Sequence, residues 1–221
     1  MNNKNKAVKN KIIIRLGDIL QDSDGILTLV KLNILFILSS MIFLPPVFVF
    51  TFGPSASALS YCTNRMVKTG YLPDVAKTYI SVYKKSFRKS LAPGVFSVLS
   101  CTVFTLSLYI YLAMGSQNII YIPLASVSMI ALVFIIGTGI HMFPETALDE
   151  DRLPAKEYFI KGFYGMVNRL PSTIITTVIS AGIVLIIVLL LPATLPLLLT
   201  IAFSVPAFVM AFAHTLPEFP E

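Results

Sequence analysis

Charge is what this sequence lacks. Only 13% of its 221 residues are Asp, Glu, Lys or Arg, against about 25% in an ordinary soluble domain, so the polar shell of a water-soluble globule cannot be assembled. Tryptophan is absent and cysteine occurs twice. Cys62 and Cys101 have no CxxC-type neighbour, which leaves a zinc site or a disulfide framework without support; they read as small buried or juxtamembrane residues with free thiols. No GxxxxGKS/T, HExxH or GxSxG pattern occurs, so ATP hydrolysis, zinc proteolysis and serine hydrolysis have no foothold. The expectation is a non-enzymatic protein with no cofactor.

The missing charge is missing in blocks. Leu32 to Asn64, Ser90 to Pro144 and Leu170 to Pro217 hold no Asp, Glu, Lys or Arg over 33, 55 and 48 residues. A hydrocarbon core of about 30 Å takes roughly 20 residues of helix per crossing, so the blocks have room for one, two and two. The expected spans lie near 32–52, 92–114, 119–143, 172–191 and 193–212. Gly115-Ser116-Gln117-Asn118 and Leu191 to Pro196 serve as the short hinges of the last two pairs. Lipid offers no partner for backbone groups, and alternating barrel segments are absent, so the blocks are helices. The fold class is therefore all-α, a polytopic membrane bundle in one transmembrane domain over 32–217. A basic segment over 1–31 precedes it and a short tail over 218–221 follows. The leader and its apolar run are too long for a signal peptide, even with Ala56-Ser57-Ala58 imitating a cleavage site. Localisation in the cell membrane as a multi-pass protein follows.

The charged stretches between the blocks set orientation. Arg65 to Lys89 carries seven Lys and Arg, and Glu145 to Arg169 carries four, so both are expected in the cytoplasm together with the C-terminus. A single first crossing leaves the N-terminus outside, against the five positive charges of Lys4, Lys6, Lys9, Lys11 and Arg15. A re-entrant first segment broken at Pro45-Pro46 would instead place every basic residue inside. The single crossing is the expectation and the re-entrant segment stays open. The net charge of +6 falls where the membrane rule wants it, so no nucleic-acid partner is implied.

The exits of the odd spans resemble one another: Thr51-Phe52-Gly53-Pro54-Ser55, His141-Met142-Phe143-Pro144-Glu145 and His214-Thr215-Leu216-Pro217-Glu218. The aligned prolines, and a turn proline at Pro73 or Pro154 farther on, suggest an internal repeat of span, cytoplasmic helix and span. Asn33, Thr51, Gly53, Pro54, Pro144 and Pro217 read as structural corner residues, with Gly53-Pro54 bending the chain and Asn33 capping or bridging helices. His141 with Glu145 and His214 with Glu218 have the four-residue spacing of a metal or proton site. The intervening prolines point instead to helix starts, and no metal is expected. The acidic run Asp149-Glu150-Asp151 reads as a solvated turn.

Both cytoplasmic stretches are amphipathic. Val75, Tyr79, Tyr83, Phe87 and Leu91 recur every four residues beside Lys77, Lys84, Lys85, Arg88 and Lys89, and Phe159, Phe163, Met166, Val167 and Leu170 repeat the device in the second loop. The first is the expected docking element for a partner or for the lipid bilayer, with Lys84, Lys85, Phe87, Arg88 and Lys89 as the contact residues; for both stretches an interfacial connector that packs under the bundle stays open as the alternative.

Asn33-Ile34-Leu35-Phe36, the prolines near the end of the first span, and Thr51-Phe52-Gly53-Pro54-Ser55-Ala56-Ser57-Ala58-Leu59 resemble the signature of the YesL-like family of bacterial membrane proteins. Phe87-Arg88-Lys89 before the second span is also similar. The doubled Pro45-Pro46 and the Asn- and Lys-rich leader depart from that pattern. The resemblance implies an accessory role beside carbohydrate-importing ABC transporters and glycan-degrading enzymes, with importer subunits as partners. A self-contained sugar or small-molecule transporter and a membrane-anchored regulator remain alternatives. The oligomeric state is not legible.

Overall fold

The computed structural model of the chain describes residues 23–42, 44–115, 118–148, 153–189 and 202–215. Among them are seven helices and no strand: α1 Ser23–Ser40, α2 Pro45–Thr69, α3 Val75–Gly115, α4 Tyr121–Leu148, α5 Ala155–Asn168, α6 Leu170–Leu189 and α7 Ser204–Thr215. Three of these, α1, α3 and α4, are long and apolar enough to cross a membrane. The architecture is that of a helical membrane protein. The hinge at Leu191 to Pro196, the acidic run Asp149-Glu150-Asp151, Pro217, Glu218 and the tail over 218–221 lie outside the described residues.

The stretch 32–52 differs most from its expectation. It is not one span: α1 stops at Ser40 and α2 begins at Pro45. Met41 adopts φ 47°, a left-handed conformation that ends a helix. Leu44 is held out of the helical region by the proline after it (φ −118°, ψ 87°), and Pro45 and Pro46 then occupy the first positions of α2, where a missing N–H costs nothing. The Thr51 hydroxyl donates to the Ser40 carbonyl at 2.6 Å and Phe36 meets Phe52 edge-on at 6.4 Å. Leu29 shares a cluster with Met66 and Val67. These pairings run in opposite order along the two helices, so α1 and α2 form an antiparallel hairpin whose ends at Ser23 and Thr69 face the same way.

Prolines inside the later helices are no more obstructive. α2 passes through Pro54, α3 through Pro93 and α4 through Pro144 without ending. The expected helix ends at Gly53-Pro54 and at Pro144 are therefore corrected. Each proline forfeits one backbone hydrogen bond, but all three residues are buried among neighbouring helices, whose packing keeps the helix continuous. For the same reason the expected cytoplasmic helix over 75–91 and the span over 92–114 are one element, 41 residues long, or about 60 Å at 1.5 Å per residue.

α2 is the hub, packed on α1, α3, α4 and α7. Every residue from Gly53 to Leu59 is buried, a run that only an all-round enclosed helix shows. The enclosure explains why α2 need not be as apolar as a lipid-facing span. Among the described residues, burial in α3 is confined to Val75 through Ser97, and in its second half Tyr111 stacks on Tyr121 of α4 at 6.3 Å. The buried part of α3 is thus the half next to the charged loop.

Candidate functional site

The signature-like segment from Gly53 to Leu59 supplies small side chains, and each faces a different neighbour. At Gly53 the backbones of α2 and α3 touch: a Cβ there would overlap the Ser90 carbonyl oxygen and lie 2.9 Å from the Gly94 Cα, and a Cβ on Gly94 would lie 2.5 Å from the Gly53 Cα. Gly53-Pro54 in α2 is thereby matched by Pro93-Gly94 in α3, the same dipeptide reversed. Two turns of hydroxyls extend the junction. Ser39 of α1 donates to Ser55 Oγ at 2.9 Å and lies 2.8 Å from the Tyr79 phenol, which itself donates to the Ser55 carbonyl at 3.2 Å. Ser57 meets Thr146 of α4 at 2.7 Å, and Thr146 in turn donates to the Phe143 carbonyl at 2.8 Å.

Asn33 closes the junction from the α1 side. Its Oδ1 accepts the backbone N–H of Phe203 at 2.8 Å and of Ser204 at 3.1 Å, two of the donors that the start of α7 leaves unpaired. A side chain 170 residues away in sequence thus does the work of a local N-cap. Phe203 follows it down to pack on Phe36 at 5.0 Å.

The stripe expected for docking is spent internally. Val75 and Tyr79 belong to the main core with Leu59 and Cys62, and Tyr83 packs against that cluster. An apolar period marks a covered face without saying what covers it, and here α2 does. What stays outside is the charge: Lys84, Lys85 and Arg88 are exposed, Phe87 and Lys89 are partly so, and Tyr83 meets the Phe87 ring at 5.7 Å. Tyr83, Lys84, Lys85, Phe87, Arg88 and Lys89 line a shallow hollow of ≈ 460 Å³.

In the second loop α5 is likewise drawn onto the bundle. Gly162 sits against Met142 and the Thr138 carbonyl, and Gly165 against His141, so close that a Cβ on Gly162 would come within 2.8 Å of either partner. Phe159 packs on Phe96 of α3 at 4.9 Å. His141 and Glu145 do lie one turn apart on a continuous α4, but His141 is buried and its Nε2 is 2.9 Å from Thr173 Oγ1 of α6. The Thr173 hydroxyl also lies 3.0 Å from the Arg169 carbonyl, to which it donates. No three His, Cys, Asp or Glu side chains gather to hold a metal ion among the described residues. The His214 side chain and Glu218 are outside them.

Sequence reasoning picked out Asn33, Thr51, Gly53 and Pro54; the fold sets Gly53 and Pro54 in the buried run of α2, ties Thr51 to Ser40 at the end of α1 and turns Asn33 to the start of α7. Pro144 lies one helix away beside Phe143, which meets Phe52 at 5.7 Å. Lys84, Lys85 and Arg88 are exposed, and Phe87 and Lys89 are partly so, apart from that junction. Sequence reasoning missed Ser39, Tyr79, Pro93, Gly94 and Thr146; the reversed Pro93-Gly94 was the one visible signal for them.

Residues 29–108, which are 80 of the 221, match the family model described as "Protein of unknown function, DUF624". The match runs from within α1 into the second half of α3 and takes in the α1, α2 and α3 sides of the junction, with Thr146 of α4 and the start of α7 outside it. No curated protein and no solved structure matches the chain.

Proposed function

We propose that the protein is a non-enzymatic integral membrane accessory protein of a carbohydrate-importing ABC transporter, in the manner implied by its YesL-like residues. The observation that carries this reading is how those residues are used. Asn33, Thr51, Gly53, Ser55 and Ser57 each make a helix-to-helix bond or close contact, so the resemblance lies in a scaffold rather than in a reactive pocket. A scaffold acts by presenting its surface to a partner.

In the membrane, α1 and α2 form a re-entrant hairpin, α3 and α4 make two full crossings, and α6 and α7 belong to a final pair. Two exposed apolar residues near the hairpin tip, Met41 and Leu44, suit entry into lipid. The arrangement puts the basic N-terminal segment and both charged loops in the cytoplasm, as the positive-inside rule favours. The passage of α2 through Pro54 and of α4 through Pro144 supports an ancestral repeat of these units.

Affinity purification from native membranes tests the association. Permease subunits of a sugar importer should be recovered with the protein well above a control membrane protein. Recovery of none, or sugar uptake by the purified protein alone in liposomes, would replace the accessory reading with another.

A further inference from the structure

We infer that the cationic face of α3 is a binding site for the headgroup of an anionic phospholipid in the cytoplasmic leaflet. The inference rests on α3 crossing the membrane and not on the association with a transporter. Its basis is that basic and apolar residues share one exposed seam on one unbroken helix. Lys85, Arg88, Ala92, Phe96, Leu99, Val103, Leu106 and Ile110 are all exposed. At 100° per residue they fall in a sector about 80° wide. The buried residues Ser86, Ser90, Pro93, Gly94 and Ser97 lie on another side of the helix.

The seam changes character once. Its charged end is Lys85 and Arg88, with Lys84 beside them, and its remainder is apolar. Arg88 and Ile110 are 22 residues apart, or about 33 Å of helix, close to the roughly 30 Å of a hydrocarbon core. Aromatic residues mark the far end: Tyr109 is 71% exposed and Tyr111 stacks on Tyr121, as suits an interfacial belt. A lipid lying along the seam therefore has its acyl chain against Phe96, Leu99 and Val103 and its phosphate at Arg88.

The chemistry at that end fits a phosphodiester. Val75 to Leu91 contains five Lys and Arg and no Asp or Glu. No ion pair occupies Lys84, Lys85 or Arg88 among the described residues. An arginine fork offers a phosphate two parallel donors, and the lysines add point charge. The ≈ 460 Å³ hollow, with Tyr83 and Phe87 in its wall, gives the headgroup a seat that an isolated lysine on a smooth surface would not. A soluble anion would use the cations alone, whereas a lipid also uses the apolar seam below them.

The test is native mass spectrometry of the full chain, released from a neutral detergent after exposure to equal amounts of phosphatidylglycerol and phosphatidylcholine. The wild-type protein should retain phosphatidylglycerol preferentially, and millimolar inorganic phosphate should not displace it. The triple variant K84Q/K85Q/R88Q should lose that preference, by roughly fivefold for each cation removed. The double variant K31Q/K156Q, which removes exposed cations on α1 and α5, should keep it within about twofold and shows that bulk charge is not the cause. All five positions are on the surface, so folding should survive, and an unchanged elution volume checks it. Equal retention of the two lipids by the wild type would overturn the inference. So would an undiminished preference in the triple variant, or displacement by inorganic phosphate. If the triple variant keeps its lipid preference but no longer recovers a transporter subunit, the face binds protein and the lipid assignment is overturned.

Discussion

Replacing Gly53 with leucine should leave almost no folded protein in the membrane. The α2 and α3 backbones meet at this residue, and even the Cβ of alanine would overlap the Ser90 carbonyl oxygen. Neither obstacle is the movable end of a side chain, so relief requires the two helices to separate. Separation pulls Tyr79 from Ser55 and opens the core around Leu59 and Cys62. Overpacking a rigid site costs about 1 to 3 kcal/mol in ordinary cores and more when backbone must move, a large share of the roughly 5 to 15 kcal/mol that holds a domain together. Gly53→Ala and Gly94→Ala should each lower the thermal midpoint in detergent by several degrees, and Gly53→Leu should abolish the monodisperse peak. Gly182→Ala is the control: nothing lies within 4 Å of a Cβ there, so the change should stabilise α6 by about 0.5 to 1 kcal/mol. Normal abundance of Gly53→Leu with selective loss of a partner would make this junction a contact site and refute the close crossing.

Asn33→Leu should release the start of α7. The substitution keeps much of the side-chain volume but removes the oxygen that accepts the Phe203 and Ser204 amides. Each buried donor left unpaired costs about 1 to 3 kcal/mol, so the pair puts the loss at about 2 to 6 kcal/mol. Phe203 and Phe208, which pack on α1 and α2, lose their anchor with it. Amide exchange over 202–211 should accelerate by about 30-fold or more, the factor that about 2 kcal/mol corresponds to. Exchange in α3 and α4 should change far less. Unaltered protection at Phe203 and Ser204 would show that Asn33 does not hold α7.

The distribution of charge is enough to read the helical membrane class, because lipid excludes both ions and unpaired backbone. Asn33, Gly53 and Pro54 stood out by chemistry: an amide at the opening of an apolar block and a small flexible residue beside a rigid one have few other reasons to be there. Other features were hidden for physical reasons. The break between Ser40 and Pro45 lies in a stretch as apolar as its flanks, so hydropathy passes over it and only Pro45-Pro46 hints at a turn. Pro93 and Pro144 look like helix starts because a proline's local preference is visible in sequence while the packing that overrides it is not. The Val75 to Leu91 stripe was legible as a period, but only the structure shows that its Val75 and Tyr79 end is covered by the bundle while Phe87 and Leu91 stay partly exposed, since periodicity is blind to what covers a face. The bonds of Tyr79 to Ser39 and of Ser57 to Thr146 join segments 40 and 89 residues apart, and hydroxyls carry no mark of their distant partners.

The hairpin of α1 and α2 is the centre of this account, and the side on which α1 begins tests it most directly. Single cysteines introduced at Asp24, Lys77 and Lys156, in a chain with Cys101 replaced by serine, can be probed with a membrane-impermeant maleimide. Cys62 is fully buried and should stay silent. Asp24 lines one cleft with Asp74 and Lys77, so all three introduced cysteines should be unreactive in intact cells and react once the membrane is opened. Labelling of the cysteine at position 24 in intact cells, with positions 77 and 156 still protected, would mean that residues 32–52 cross the membrane once and that the hairpin does not form.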